Sequence, residues 1–517
     1  MLPKVKRAQS AGRPRRGMAG WPFVFAVAGL AIAAFAEASA GMVKPNINIS
    51  PPRMTPNVYI APRITPITPQ MNLPRGTGNP SRYVEPQAGD DDPPPPRRLR
   101  KIVKKKSPNG GGSLPPIVQQ GASNPRRLAR LPIAAGRNFV FNEVLTEIVG
   151  NPSQQVLDAF ARRHRLTPLE SQRLALLNAT WMRWQINGGR SVPGVVRGVA
   201  AEGIVRSAQP NFYFKTSQQA EPAAATVSTP GDPAQYMIAK LRLGQAHGLA
   251  KGDKVLIAVI DSGIDDTHPE LKDAVVGKFD TLERPEKPHS HGTAIAGAIA
   301  AQSRLTGVAP RSHILGVRAF GAASEGAEST TFKILKGLDW AAGQGARVIN
   351  MSFAGPEDPT MLRMLAALHA KGIVLIAAAG NAGPKSPPLF PAAASHVIAV
   401  TATDADDKLF PASNRGRHIT LAAPGVDIFV PMPGGRYDFI SGTSFAAAHV
   451  SGVVALLLER KPDLTPDDIR RILIATAKDL GPKGRDDQFG AGLTDAFQAI
   501  TILEPGKFQA SGTSTAR

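Results

Sequence analysis

Cysteine is absent from the 517 residues. This excludes disulfides, thiolate metal sites and a cysteine nucleophile, and leaves the redox compartment open. Aromatic residues are sparse at 6%, and 40 acidic residues face 61 Lys and Arg. Hydrophobic residues, at 42%, still support at least one large core. The 50 glycines follow no fixed period, so the chain is neither wholly disordered nor collagen-like. The length allows two or three domains. A net charge of +21 points by itself to an acidic partner such as nucleic acid or lipid.

The position of the charge changes that reading. Residues 1–233 hold 31 basic and 12 acidic side chains, whereas residues 234–503 hold 28 and 27. The C-terminal half is nearly neutral and no nucleic-acid partner is expected for it. Residues 1–16 carry six basic side chains, an uncharged stretch covers 17–36, and Ala38-Ser39-Ala40 supplies small residues in an A-x-A pattern. This plan predicts a secretory signal cleaved after Ala40. The alternative is an uncleaved membrane anchor, since 20 uncharged residues just span a bilayer. Both put the rest of the chain outside the cytoplasm, in the medium or periplasm or at the membrane surface.

Residues 41–136 contain 19 prolines, which forbid regular ladders and predict a disordered linker. Its basic run, Arg97 to Lys106, is a candidate contact for anionic lipid or cell-envelope material. A solvated charged linker is the plainer reading. Residues 137–215 then read as strand, helix Gln154–His164, one or two strands in Leu174–Ile186, a short helix from Ser191, and a strand Gly203–Phe214. The order β-α-β-β-α-β predicts a small antiparallel sheet with two helices on one face. A polar junction, 216–231, leads into residues 232–503; 504–517 reads as a flexible tail. In 232–503, apolar runs such as Lys254–Ile260, His313–Val317, Arg347–Met351, Ile373–Ala379 and Val397–Thr401 alternate with helical patterns. The fold class is α/β: a parallel sheet flanked by helices on both faces, preceded by the small α+β domain.

Chemistry in such a sheet gathers at the C-terminal strand ends. Asp261 ends the first apolar run in Asp261-Ser262-Gly263. His291 opens a small-residue helix in His291-Gly292-Thr293, and Ser444 precedes an apolar helix in Gly442-Thr443-Ser444-Phe445-Ala446. Taken singly, these residues also read as a cap, a structural histidine and an N-cap. As a set, in the order Asp, His, Ser, they closely resemble the subtilisin-like serine peptidases. The resemblance covers Asp232–Leu503.

That resemblance implies a serine endopeptidase acting on polypeptides. Ser444 is the implied nucleophile, His291 the base and Asp261 its orienting carboxylate. Asn381, in Ala378-Ala379-Gly380-Asn381, is the implied oxyanion donor, and Ser352, Phe353, Ala354 and Gly355 the segment that pairs with substrate. His268, His289 and His449 are read as structural. Phe353 and Leu389 are expected to border the specificity pocket. Ala354 stands where glycine is usual, and its methyl is expected to narrow that pocket. Ala448 replaces a common proline and is expected to alter the backbone near Ser444.

No cofactor is expected. The loop Gln302–Thr306 is shorter than in relatives with a strong calcium site, so that site is expected to be missing. Asp404, Asp406 and Asp407 are a candidate for weak calcium binding, or a solvated acidic loop. Residues 137–215 resemble the inhibitor-type propeptides of the same family, closing in Gln209-Pro210-Asn211-Phe212-Tyr213-Phe214. This implies a self-processing zymogen whose own propeptide blocks its cleft. Two further readings remain open: a catalytically silent binding module, and a cell-surface scaffold whose basic linker does the work.

Overall fold

The computed structural model describes residues 138–216, 234–282, 285–323 and 326–504. The signal or anchor 1–40, the linker 41–136, nearly all of the junction and all but Glu504 of the tail lie outside the described residues.

The N-terminal layer consists of β1 (Phe139–Ile148), α1 (Gln154–His164), β2 (Leu166–Leu174), β3 (Ala179–Ile186), α2 (Val192–Val199) and β4 (Val205–Thr216). β3, β1 and β4 pair antiparallel, with β2 outside β3. One face of this sheet packs Val144, Trp184 and Ile148 against Phe160 of α1 and Val195 and Val199 of α2. The helices thus share one face, as the pattern implies. The sequence pattern places no strand between the helix ending at His164 and Leu174, yet β2 begins at Leu166. Its segment LTPLESQRL lies at the sheet edge with alternate residues exposed, where Pro168 is tolerated.

The larger part begins with short helices α3 (Met237–Lys240) and α4 (Leu243–Ala246), then β5 (Leu256–Asp261), β6 (Val275–Asp280), α5 (Ser290–Ala300), β7 (His313–Arg318), β8 (Gly321–Ala322) and β9 (Ala327–Thr330). α6 (Thr331–Gly343), β10 (Val348–Met351), β11 (Phe353–Ala354), α7 (Pro359–Ala370), β12 (Val374–Ala378), β13 (Val397–Thr403) and β14 (Ile419–Pro424) follow. The hairpin β15 (Ile428–Met432) and β16 (Arg436–Ile440), then α8 (Thr443–Arg460), α9 (Pro466–Thr476) and α10 (Ala496–Thr501), complete it.

Seven strands in the order β14-β13-β12-β10-β5-β7-β6 form one sheet. Every pairing in it is parallel. Its strands are apolar on both faces because both are covered. Ile257, Val259 and Ile376 face α5 and α8 in one core, whereas Ala258, Ile260 and Leu375 face α6 and α7 in the other. This second core also takes in Leu145, Leu174, Trp181, Phe212 and Phe214 of the N-terminal layer. The two parts therefore share a continuous apolar contact.

Polar contacts pin the same interface. Asp339 of α6 accepts from the amides of Ala175 and Leu176 at 3.0 and 2.8 Å. Asn211 Oδ1 accepts from Phe332 N, and Gln209 Oε1 from Thr360 N, so β4 satisfies amides in the buried first turns of α6 and α7. Glu147, fully buried on β1, accepts from Arg363 of α7 at 2.7 Å and from Ser207 at 2.8 Å, with Arg206 at 3.4 Å. Burial opposes its ionisation, but the hydrogen bonds from Arg363 and Ser207 and the two guanidinium charges win and hold its pKa below the ordinary 4.5.

A lowered carboxylate pKa stabilises the folded state fully above the unfolded value, and the gain disappears as pH falls through the folded one. In an unprocessed chain, Glu147→Gln is expected to cost about 1.5–3 kcal/mol at pH 7 and much less near pH 3. Thermal melts of the two chains at both pH values measure this. An equal difference at pH 7 and pH 3 would remove the ion pair as the cause.

Candidate active site

β5 runs straight into the site. Asp261 is its last residue, and the carboxylate Oδ1 accepts from Ser262 N at 2.7 Å and Ser262 Oγ at 3.2 Å. Ser262 Oγ in turn accepts from Gly292 N at 3.0 Å, which draws the start of α5 against the end of β5. Gly292 is required by this approach, since a Cβ there would sit 2.5 Å from the Ser262 carbonyl oxygen. Docking these elements puts His291 Nδ1 2.7 Å from Asp261 Oδ1. Both side chains are buried, and among the described residues His291 Nε2 has no hydrogen-bond partner.

Ser444 stands in the first turn of α8, and the ring of its neighbour Phe445 lies 6.4 Å from that of His291. Ser444 Oγ is 3.4 Å from the Ser352 carbonyl, and Ser352 Oγ donates to Ser444 O at 3.2 Å. Asn350 Nδ2 donates to Ser352 Oγ at 2.8 Å, and Asn350 Oδ1 accepts from Ser451 at 3.0 Å, so β10 and α8 are locked together. The Gly425 carbonyl accepts from Gly442 N at 2.7 Å, buttressing the turn before Ser444. α8 continues unbroken through buried Ala448, so the missing proline leaves the helix regular.

Asn381 follows β12. Its Oδ1 accepts from Thr443 N at 3.2 Å and Thr443 Oγ1 at 2.8 Å, which turns Nδ2 away from Thr443. Thr443 and Ser262 are missed by the sequence reading. Their only signal is that each adjoins a singled-out residue, in Thr443-Ser444 and Asp261-Ser262.

The three set-aside histidines are structural. His449 Nδ1 bonds the Pro424 carbonyl at 2.8 Å, and burial pushes its pKa down to about 4 despite that bond. His268 Nδ1 accepts from Glu270 N at 3.1 Å, while its Nε2 meets the Arg436 carbonyl. His289 caps α5.

β4 leaves its own layer to lie between β9 and β11. Tyr213, Phe214 and Lys215 pair with Thr330, Ser329 and Glu328, while Lys215 and Thr216 pair with Ala354 and Phe353. Phe353 meets Phe214 edge-on at 5.9 Å, and Gly355 lies under the same ring. Ala354 sits between them, paired with Lys215. Leu389 lies against Gly380, and the next residue, Phe390, pairs with Gly355.

The loop Gln302–Thr306 is held by one acidic side chain. Buried Glu270 accepts from the amides of Ser303, Arg304 and Leu305 at 2.8–2.9 Å, and from Tyr437 Oη at 2.9 Å. Burial and then Glu270 raise the Tyr437 pKa to about 12. Asp407 is bridged by Lys240 and Lys478, and Asp404 Oδ1 accepts from the amides of Asp406 and Lys408. Among the described residues no cluster of three His, Asp or Glu is arranged to hold a metal ion. None of their helices is long and apolar enough to cross a membrane.

Residues 252–492 match the Subtilase family. Thermitase of Thermoactinomyces vulgaris is 35% identical over 285 residues, covering 53% of this chain and 99% of that protein. Subtilisin DY of Bacillus licheniformis is 36% identical over 245 residues, covering 46% and 88%. The structure of fervidolysin from Fervidobacterium pennivorans, a keratinolytic enzyme related to subtilisin, superposes with a TM-score of 0.59 at 25% identity. That match covers 70% of this chain and 61% of fervidolysin.

Proposed function

The chain belongs to the subtilase family and is a subtilisin-like serine endopeptidase, and on that premise we propose that Ser444, His291 and Asp261 carry its reaction and that residues 137–215 are its own inhibitory propeptide. The buried Asp261–His291 hydrogen bond, with Nε2 unpartnered, is the observation that carries the assignment. Bonding to Asp261 puts the proton on Nδ1, so Nε2 has its lone pair for the Ser444 hydroxyl proton. Ser444 Oγ then attacks the peptide carbonyl, and the imidazolium is stabilised by Asp261. His291 returns the proton to the leaving amine; water repeats the sequence on the acyl-enzyme. The oxyanion forms where Asn381 Nδ2 and Ser444 N donate.

Asn381→Ala is expected to lower kcat by about 10²–10³ with KM nearly constant, because the oxyanion exists only after attack. Steady-state kinetics on a peptide substrate check this. A near-normal kcat would exclude Asn381 as the donor. Labelling by a fluorophosphonate, mapped to Ser444 by mass spectrometry, tests the nucleophile.

The propeptide assignment draws support from β4, which occupies the slot between β9 and β11 as a bound strand does. Self-processing is proposed to cut within the junction downstream of Lys215. Export rests on the basic start, the apolar stretch and the site after Ala40. An uncut Ser444→Ala chain recovered outside the cytoplasm should begin at Gly41; Met1 in a washed membrane fraction supports the anchor. The basic linker is proposed to contact the cell envelope. Catalysis is proposed to need no metal, and the Gln302–Thr306 loop no calcium, because its inward-facing amides suit a carboxylate and repel a cation.

A further inference from the structure

Resting on the assignment of Asn381 as oxyanion donor, we infer that Asn414 is a positioning residue for the reaction: its side chain clamps the turn on which Asn381 stands and so fixes where Asn381 Nδ2 points. Asn414 follows β13 in the chain and is completely buried. Residues 379–382 follow β12 and belong to no helix or strand. The turn therefore has no ladder to hold it, and its polar groups are met one by one.

Asn414 meets three of them. Its Nδ2 donates to the Ala379 carbonyl at 3.0 Å, and its Oδ1 accepts from Ala382 N at 2.9 Å. Its own main-chain N–H donates to the Gly380 carbonyl at 3.0 Å. The side chain thus ties the residues before and after Asn381 to one rigid plane. A carboxamide is the group of this length that supplies a donor and an acceptor together. From the other side, Thr443 Oγ1 accepts from Gly380 N at 3.1 Å. Gly380 itself has a φ of +104°, and a Cβ there would lie 2.5 Å from Asn414 Nδ2. The clamp can close only because the residue before Asn381 has no side chain.

An oxyanion donor works when it lies about 2.7–3.1 Å from the place where the charge develops. Without the clamp, Thr443 still holds the carboxamide oxygen of Asn381, but the backbone beneath is free to drift. A displacement of about 1 Å can cost about 10²-fold in rate. The substrate's uncharged carbonyl gains little from this donor, so the loss falls on kcat and leaves KM alone.

The test is steady-state kinetics on one peptide substrate, with mature enzyme from the full chain carrying Asn414→Ala, Asn414→Asp, Asn381→Ala or both Ala changes. Asn414→Ala is expected to lower kcat about 10- to 100-fold with KM nearly constant. Asn414→Asp keeps the shape and the acceptor for Ala382 N but sets an oxygen against the Ala379 carbonyl, and kcat is expected to fall similarly. Added to Asn381→Ala, the Asn414→Ala change is expected to cost no more than about twofold, because the group it positions is already gone. A variant too slow to mature is read by the rate at which its own junction is cut. If Asn414→Ala does not fold, Asn414→Asp takes its place in the comparison. An undiminished kcat in the Asn414 variants, beside a large loss in Asn381→Ala, overturns the inference and leaves the oxyanion assignment standing. So does an equal loss with and without the Asn381 side chain, or a change confined to KM or to the melting temperature. A near-normal kcat in Asn381→Ala overturns both.

Discussion

A Ser444→Ala chain is expected to remain uncut, with residues 137–215 still bound to the catalytic part. Two observations join in this expectation. Ser444 Oγ lies at the head of α8 against the Ser352 carbonyl, and β4 runs between β9 and β11 toward that same serine. If one hydroxyl cuts both substrates and its own chain, removing it removes the nucleophile for both. The residual rate comes from the oxyanion donors and binding alone, about 10³–10⁴ over water, too slow for maturation. A gel and a mass spectrum of the variant beside the parent decide the matter. Cutting between Lys215 and Asp232 in the variant would assign processing to another peptidase.

His291→Ala is expected to lower kcat about 10⁶-fold, the size of loss known for the corresponding change in a subtilisin. The reason is cooperative. Without the imidazole, Ser444 keeps its proton at neutral pH, and among the described residues Asp261 is left with Ser262 as the donor at Oδ1. The variant should also resist fluorophosphonate, since that reagent needs the same activated oxygen. A kcat within 100-fold of the parent, in a chain with an unchanged melting profile, would show that another group serves as base.

The central sheet was readable because β5, β7, β10, β12 and β13 are buried on both faces and appear as unbroken apolar runs. β6 (VVGKFD) lies at the sheet edge with alternating exposure, and β14 ends in proline, so neither makes such a run. β8, β9 and β11 are two to four residues long; β9 has β8 on one side and takes β4 on the other, and among the described residues β11 has β4 as its strand partner. No local pattern can report a ladder whose other half is more than a hundred residues away. The same division holds at the site. Asp261, His291 and Ser444 stand where strands end and helices begin, so punctuation by Gly marks them. Thr443, which orients Asn381, and Asn414, which holds its turn, act through groups whose direction tertiary packing decides. The calcium expectation came from loop length alone. The contact on which the proposal of a calcium-free loop rests, Glu270 beneath three amides, joins residues 33 to 35 positions apart in the chain.

β4 also says something about what the cleft between β9 and β11 can admit. Take that strand away and β9 and β11 become two edges facing each other across a gap of about two strand spacings, roughly 9.5 Å. A helix, at about 10–12 Å across with its side chains, cannot lie there and still meet both edges. Entry demands several residues already drawn out, as Tyr213–Thr216 are. A well-packed protein offers such a stretch only during fraying or local opening, and the share of time it spends open then sets how fast it is cut. The cleft is in that sense a gauge of foldedness: it tests whether a chain can let go of its own structure before it tests which residues the chain carries.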